Sequence, residues 1–175
     1  MLSRNLVIGI VVAIVAIAAL AVAYVEANAS PVVAVGDNVS VYYTGTFTNG
    51  TVFNTNVNGQ LFNFTVGSGQ VIQGFDSAVV GMKAGQNKTV TIPANEAYGE
   101  VNPGLIENVS RSYFGNQTVQ VGMTVTSTSN STNAGTHTTH GVVTAVNSTT
   151  VTVNFNSPLA GKTLVFTIHV VKISR

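Results

Sequence analysis

Five glycines lie within the twenty residues 66–85, VGSGQVIQGFDSAVVGMKAG, and such a run can serve two kinds of chemistry. A glycine-rich loop that opens a long helix can bind phosphate through its backbone N–H groups, with a Lys, Ser or Thr for phosphate and metal. Here the helical pattern that follows is short, about two turns, which makes a poor phosphate scaffold. The apolar pair Val71 and Ile72 between the glycines favours a backbone shaped around the floor of an apolar pocket.

His137 and His140 are the candidate metal ligands, because the pattern HTTH places two imidazoles close together. On a strand, however, residues three positions apart point to opposite faces, and no Cys, Asp or Glu lies nearby in sequence to complete a coordination shell. We therefore interpret this segment as a solvated loop, and His169 as an outward-facing residue of a later strand. The sequence predicts no metal site and no cofactor.

The composition argues against several other classes of protein. With 7% charged residues and a net charge of +1, the chain has no basic stripe for nucleic acid, which is not an expected partner. The absence of cysteine excludes thiol catalysis, disulfides and thiolate metal sites. A chain of 175 residues suffices for one core, or for a small core plus a satellite. Sparse charge with abundant Asn and Thr would suit an archaeal exterior, particularly an acidic one.

Residues 6–25, LVIGIVVAIVAIAALAVAYV, contain no charged side chain and are long enough to cross the roughly 30 Å hydrocarbon layer as a helix. Arg4 precedes this segment and Glu26 follows it, so the positive-inside rule places the N-terminus in the cytoplasm and the rest of the chain outside. The sequence thus predicts a single-pass protein of the cell membrane. The alternative is a secreted protein cleaved near Ala29, because residues 27–29 fit an A-x-A signal-peptide site.

Beyond residue 30 the hydrophobic period changes from helical to alternating. Five segments alternate apolar with polar residues and favour β-branched types, which predicts strands. They are residues 38–47, 61–66, 88–93, 151–155 and 163–173. Residues 74–82 form a short stretch with helical spacing, because Phe75, Val79 and Met82 fall at i, i+4 and i+7. Residues 48–50 (TNG) and 133–135 (NAG) predict turns, the second within a polar hairpin over residues 125–146.

Three motifs, in order along the chain, resemble those of the FKBP-type peptidyl-prolyl cis–trans isomerases. They are VYYTGTFTNGTVFN at residues 41–54, FNFTVGSGQVIQGFDSAVVGMKAGQNKTVTIPANEAYG at 62–99 and LVFTIHVVKI at 164–173. The long segment before the last motif resembles the SlyD-like subgroup, in which an insert-in-flap (IF) domain occupies that place. Residues 104–114, 119–125 and 154–166 are similar to that insert and its return segment, although Ser110 and Ser157 stand where the resemblance would predict Pro and His.

The resemblance implies an α+β fold in which a mostly antiparallel, FKBP-like sheet wraps on one short helix. Four parts then follow one another along the chain. They are a membrane helix or signal peptide over residues 1–29, the first part of the FKBP-like domain over 30–100, a small inserted β-rich IF domain over 101–156, and the last FKBP-like strand over 157–175.

The resemblance also implies a set of site residues. The catalytic residues would be Tyr43, Phe53, Asn54, Ile72 and Tyr98, and the substrate-binding residues would be Phe62, Val71, Phe75, Ala97 and Phe166. The Ile72 N–H is implied as the donor to the substrate carbonyl, with the Tyr98 hydroxyl as a second partner. Phe75 replaces the Trp floor of many relatives, and Asn54 replaces a common Asp, so it can hydrogen-bond but carries no charge. For each aromatic residue taken alone, packing in the core is the alternative.

For the insert, the resemblance implies an exposed apolar surface that binds extended or unfolded chains and passes them to the pocket. The candidate residues are Ile106, Val109, Tyr113, Phe114, Val121 and Met123, which could instead form the insert's own small core. The predicted function is a prolyl isomerase with a chaperone module that assists the folding of extracytoplasmic proteins. Its expected partners are unfolded or proline-containing polypeptides and the membrane. The alternative is a holdase on the same scaffold that is weak in catalysis because of Asn54.

Overall fold

The computed structural model describes residues 31–131 and 135–175, together with the single position Ile17. The predicted membrane helix of residues 6–25, apart from Ile17, lies outside the described residues, as do the alternative cleavage site near Ala29 and most of the predicted NAG turn. In the part of the chain that is described, no helix is both long and apolar enough to span a membrane.

Residues 31–131 and 135–175 form nine strands, one α-helix and three short 3₁₀ turns. In chain order the strands and helix are β1 (Asn38–Phe47), β2 (Val52–Thr55), β3 (Phe62–Thr65), α1 (Gln73–Val79), β4 (Asn87–Ile92), β5 (Ile106–Ser110), β6 (Thr124–Ser131), β7 (Gly135–Val146), β8 (Thr150–Asn154) and β9 (Leu164–Ser174). The 3₁₀ turns span Ala94–Glu96, Pro103–Leu105 and Arg111–Phe114. All strand pairings are antiparallel, which confirms the predicted sheet-rich fold with one short helix.

The first sheet has the order β2-β1-β9-β4, and β3 also pairs with β1. Its long central pair, β1 and β9, runs from Asn38 opposite Ser174 to Phe47 opposite Leu164. Alternate side chains of β9 are buried because successive residues of a strand point to opposite faces. α1 packs against this buried face through Phe75 and Val79. The sheet and α1 therefore enclose the larger of the two hydrophobic cores.

α1 ends at Val79, earlier than the predicted end at Met82. The backbone of Val80 leaves the helical region with ψ 132°, and Gly81 then takes φ +80°, a conformation that glycine adopts without strain. Met82 is nevertheless fully buried beside the helix. The predicted apolar face was correct, whereas its helical extent was wrong.

The second sheet has the order β5-β8-β7-β6 and surrounds a small core. That core consists of Val119, Val143, Val151 and Val153. All four strands lie within residues 101–156, the range of the predicted insert. His137 and His140 lie on β7, paired with Ser129 and Thr126 of β6, so the loop interpretation of the HTTH segment was wrong. The polar Thr and His residues of this segment can form a strand because its backbone hydrogen bonds to β6 do not depend on apolar alternation.

Two crossings of the chain, residues 99–105 and 155–163, join the sheets and are tied to each other. The Asn102 N–H donates to Asn156 Oδ1 at 2.8 Å, and Asn156 Nδ2 donates back to the Asn102 carbonyl at 3.0 Å. The Gly161 N–H donates to the Gly99 carbonyl at 2.8 Å. The Asn156 side-chain amide thus accepts from and donates to the backbone of Asn102, as the backbone of a paired strand would. We call this arrangement the Asn156 clamp.

Candidate active site

A cavity of about 740 Å³ opens between α1, the first sheet and residues 155–163, which we call the return crossing because they lead back from the second sheet. Nine of the ten predicted site residues line it: Tyr43, Phe53, Asn54, Phe62, Val71, Ile72, Phe75, Tyr98 and Phe166. The tenth, Ala97, does not line the cavity and packs instead against the neighbouring hydrophobic core. Residues from well-separated parts of the chain therefore meet at one place.

The walls of the cavity are aromatic rings packed edge to face. Phe75 is 3% exposed, and its ring centroid lies 5.7 Å from that of Tyr43 and 5.3 Å from that of Phe166, at interplanar angles of 83° and 86°. Phe62 meets Tyr43 at 5.9 Å, and Phe53 meets Phe166 at 5.7 Å. Edge-to-face packing fixes each ring against its neighbours. The cavity thus has a rigid apolar floor formed by Phe75.

Two glycines allow these rings and α1 to pack so closely. A Cβ placed on Gly45 of β1 would lie 2.7 Å from Phe53 Cζ and 2.9 Å from Phe166 Cε1. A Cβ placed on Gly74 of α1 would overlap Ile92 Cγ2, so the helix can approach β4 only without a side chain there. Sequence reasoning did not single out Gly45, although its place in the strand pattern of residues 38–47 could have marked a close approach.

Tyr43 and Asn54 form a polar pair within the aromatic wall. The antiparallel pairing of β1 with β2 places them side by side, and the Tyr43 hydroxyl donates to Asn54 Oδ1 at 2.6 Å. Burial raises the pKa of the Tyr43 hydroxyl above its ordinary value, and the nearby Tyr98 raises it further. The hydroxyl therefore stays protonated at neutral pH. Because Asn54 is neutral, this pair brings no charge into the cavity.

Ile72 brings a backbone donor to the cavity wall at the start of α1. It is the N-cap residue, with φ −61° and ψ 146°, and its carbonyl accepts from the N–H groups of Phe75 and Asp76. Within the described residues, no acceptor takes the Ile72 N–H itself. The first N–H groups of a helix lack partners in the helix and can bind an acceptor of a ligand. This N–H is thus free to hold a carbonyl oxygen.

Five lining residues were not predicted as site residues. They are Gly69, Gln70, Ser157, Pro158 and Leu159. The first two belong to the turn before α1, and the other three belong to the crossing that returns from the second sheet. The apolar pair after Ser157, close before the motif at residues 164–173, was the available signal. One wall of the cavity is therefore built by the segment that connects the two sheets.

The arrangement can bind a compact apolar ring on Phe75 and hold a neighbouring carbonyl by the Ile72 N–H. No Asp, Glu, His, Lys or Arg is among the described residues that line the cavity. In residues 31–131 and 135–175, no group of three His, Asp or Glu side chains lies close enough to hold a metal ion. The chemistry that these residues offer is removal of a group from water and oriented hydrogen bonding, without a nucleophile.

The chain is similar to known proteins over most of its length. Residues 30–171 match the family model for FKBP-type peptidyl-prolyl cis-trans isomerase. The chain is 32% identical over 141 residues to a probable FKBP-type 16 kDa peptidyl-prolyl cis-trans isomerase of Pseudomonas fluorescens, across 79% of this chain and 91% of that protein. It is 38% identical over 112 residues to a short-type peptidyl-prolyl cis-trans isomerase of Methanocaldococcus jannaschii, across 61% of this chain and 64% of that protein. With FK506-binding protein 1 of Dictyostelium discoideum it shares 48% identity over 71 residues, which span 40% of this chain and 66% of that protein. The chain therefore belongs to the FKBP-type peptidyl-prolyl cis–trans isomerases.

Proposed function

We propose that this protein accelerates rotation about X–Pro bonds in proteins that fold outside the cytoplasm, and that its second sheet holds unfolded client chains near the cavity. The observation that carries the proposal is the aromatic cavity with its floor at Phe75 and its free donor at Ile72. The uncharged segment of residues 6–25 supports the membrane location. Slow X–Pro isomerisation can limit folding in that compartment as in any other.

The chemistry follows from the electronic structure of the amide. A planar X–Pro amide is stabilised by resonance that separates charge, and losing this resonance costs about 18–20 kcal/mol at the barrier. An apolar cavity solvates the charge-separated planar form poorly. The twisted form is less polar, so its free energy rises less in the cavity. The prolyl ring would rest on Phe75, whose buried face excludes water from one side of the amide. The barrier falls because the planar amide loses more solvation free energy in the cavity than the twisted amide does.

Oriented hydrogen bonds would supply the rest of the acceleration. The Ile72 N–H would hold the carbonyl before proline while the chain on the other side turns. Tyr98 is 46% exposed at the cavity edge, where its hydroxyl can reach a second carbonyl of the substrate. The bond between Tyr43 and Asn54 fixes the Tyr43 ring as a wall. None of these groups needs to gain or lose a proton during the reaction.

The second sheet offers a separate groove of about 570 Å³ beside its small core. Among the six candidate residues of the predicted client surface, Ile106, Tyr113, Val121 and Met123 are exposed, and Tyr113 is 84% exposed. Val109 and Phe114 pack against the core of the second sheet instead. Exposed apolar side chains around a groove are typical of protein-binding surfaces. A client held there would stay near the cavity, because the return crossing forms one cavity wall, and its effective concentration would rise.

The test compares two substrates with the full-length chain in detergent. One is a proline-containing tetrapeptide, and the other is a protein whose slow refolding phase is limited by X–Pro isomerisation. We expect acceleration of both, and Tyr113→Ser should reduce the effect on the protein while the tetrapeptide rate is kept. If neither substrate is accelerated but aggregation of the client is suppressed, the holdase alternative is correct.

The location has its own test. The full-length chain should stay with membranes through carbonate extraction, and residues 31–175 should be open to protease added outside the cell. A mature chain that begins at Ser30 and is recovered in the soluble fraction would support cleavage near Ala29 and contradict the membrane location. Neither result changes the expected isomerase activity, so the two parts of the proposal are tested separately.

A further inference from the structure

The chain enters the fold at the end of the first sheet that lies away from the cavity. The Val33 N–H donates to the Met82 carbonyl at 2.8 Å, the Gly81 N–H donates to the Val33 carbonyl at 2.9 Å, and Val32 forms a bridge with Lys83. These contacts lie just beyond the C-terminal end of α1, whose opposite end, at Ile72, lines the cavity. The point of entry and the cavity are thus separated by the length of the helix.

This end of the molecule carries exposed apolar side chains and basic side chains together. Val35 is 73% exposed, and Val32, Val80 and Val171 are also exposed. Lys83 forms the bridge with Val32, and Lys172 pairs with Ser40 near the end of β9. We call Val32, Val35, Val80, Lys83, Val171 and Lys172 the entry face. Exposed valines flanked by lysines suit a surface that is apolar in its interior and negatively charged at its border.

The charges are distributed unevenly along the molecule. At the entry end, Asp37 is buried and paired with Arg175, whose Nε lies 3.4 Å from Asp37 Oδ1. Asp76, in the first turn of α1, accepts the Gly67 N–H with both carboxylate oxygens. The other acidic residues of the described chain follow β4, in the segment that leads to the second sheet and in β5. They are Glu96, Glu100 and Glu107. The two lysines of the entry face therefore form no ion pair within the described residues.

The distance to the predicted membrane helix limits how far the entry end can lie from the bilayer. At about 3.5 Å per residue, the chain from Val25 to Val32 spans at most roughly 25 Å. The headgroup layer takes up about 5–8 Å of that length. The entry point and the cavity are separated by α1, whose seven residues span about 10 Å. The tether therefore keeps the entry end within reach of the headgroups, and the charges and exposed valines of that end set which side turns to the bilayer.

We propose that the entry face rests on anionic lipid headgroups of the membrane that anchors the chain, so that the cavity and the second sheet face away from it. This inference rests on the membrane location proposed above and is independent of catalysis. The valines would enter the headgroup boundary, and Lys83 and Lys172 would meet lipid phosphates. Clients would then approach from the aqueous side, without competition from the bilayer.

The experiment uses the absence of cysteine, because every introduced thiol takes a unique spin label. The full-length chain is reconstituted into vesicles of phosphatidylcholine with or without phosphatidylglycerol. One label is placed by Ala84→Cys beside Lys83, and a second by Ser148→Cys in the exposed turn between β7 and β8. Power saturation with oxygen and with a water-soluble nickel chelate then reports whether each label meets lipid or water.

With phosphatidylglycerol, the label at residue 84 should be shielded from nickel and the label at residue 148 should not. Replacing each entry-face lysine by Gln should lower the equilibrium constant for contact about fivefold. Lys162→Gln is the matched control, because Lys162 lies over the Phe47 ring and outside the entry face, and it should change nothing. Equal nickel access at both labels overturns the proposal, as does shielding that rises with protein density, which would mean that a second copy covers the face. A chain that does not float with vesicles also overturns it, while tetrapeptide turnover still reports the isomerase separately.

Discussion

The exchange Asn54→Asp tests how charge acts in the cavity. In the native chain the Tyr43 hydroxyl donates to Asn54 Oδ1 at 2.6 Å, and both partners are neutral. A carboxylate of the same shape would accept the same bond and bring a negative field to the wall. A charge-assisted hydrogen bond exceeds a neutral one by about 1 kcal/mol. If a comparable part of this field favours the twisted amide, kcat/KM should rise roughly fivefold near neutral pH.

The gain should depend on pH in a defined direction. The bond from Tyr43 favours the ionised form, so it lowers the pKa of the introduced carboxyl from its ordinary value near 3.9. The stabilising charge is present above the pKa of the unfolded chain and is lost as the pH falls through that of the folded chain. The gain should therefore fade below about pH 4. The native kcat/KM should not change between pH 3 and pH 7. Burial keeps the Tyr43 hydroxyl protonated, and the described lining residues include no Asp, Glu, His, Lys or Arg.

The assay is exchange NMR of a proline-containing tetrapeptide, which needs no coupling protease and works at low pH. Asn49→Asp is the matched control, because Asn49 lies in the turn between β1 and β2 and outside the cavity lining. It adds the same charge to the same hairpin and should leave kcat/KM unchanged. An unchanged or lower rate for Asn54→Asp at pH 7, with the fold intact, would refute the role of the field. A gain that persists undiminished at pH 3 would refute the role of the carboxylate.

Three further predictions concern the cavity and the second sheet. Tyr98→Phe should lower kcat/KM by a modest factor, because one hydrogen bond worth about 0.5–1.5 kcal/mol is lost; a loss of a thousandfold would mean that Tyr98 does more than bind. Phe75→Ala should weaken both binding and turnover and should destabilise the fold by roughly 3–5 kcal/mol, measured by denaturation followed with circular dichroism. Full activity in that variant would contradict the role of Phe75 as the floor. Replacing residues 101–156 by a short flap should leave the first sheet folded and tetrapeptide turnover largely intact, while suppression of client aggregation falls. If the shortened chain does not fold, the interpretation of this segment as an insert is wrong.

The strands with a buried face could be predicted from the sequence. The boundaries of all five predicted strands lie within one residue of those in the structure, because one face of each packs on a core and forces alternation. β2 and β5 were not predicted. Most of their residues are exposed, so no apolar period marks them, and they form because a neighbouring strand supplies their hydrogen bonds.

The cavity required knowledge that local patterns do not contain. Nine lining residues were named through the family resemblance, whereas periodicity alone would have assigned Phe62, Phe75 and Phe166 to an ordinary core. The wall at Pro158 and Leu159 was missed because it depends on a contact between segments that are far apart in sequence. The bond between Tyr43 and Asn54 depends on the register of β1 against β2, which shifts at a bulge next to Gly45.

The Asn156 clamp has a consequence for the order of folding. β4 and β9 pair Ile92 with Leu164, so closing the first sheet requires a long loop of chain to be drawn together. Once the second sheet has folded, the pairing of Ile106 with Asn154 joins the two crossings, and the clamp extends this junction to residues 102 and 156, so the loop that must still close is roughly fourfold shorter. Two halvings of a loop reduce its closure entropy cost by about 1.2 kcal/mol. We expect Asn156→Ala to slow refolding of the first sheet more than it speeds unfolding, as measured by stopped-flow fluorescence of labels on β4 and β9. Equal refolding rates in the two proteins would contradict this order. The second sheet would then act as an internal template for folding. It would speed closure of the first sheet in its own chain before the protein binds any client.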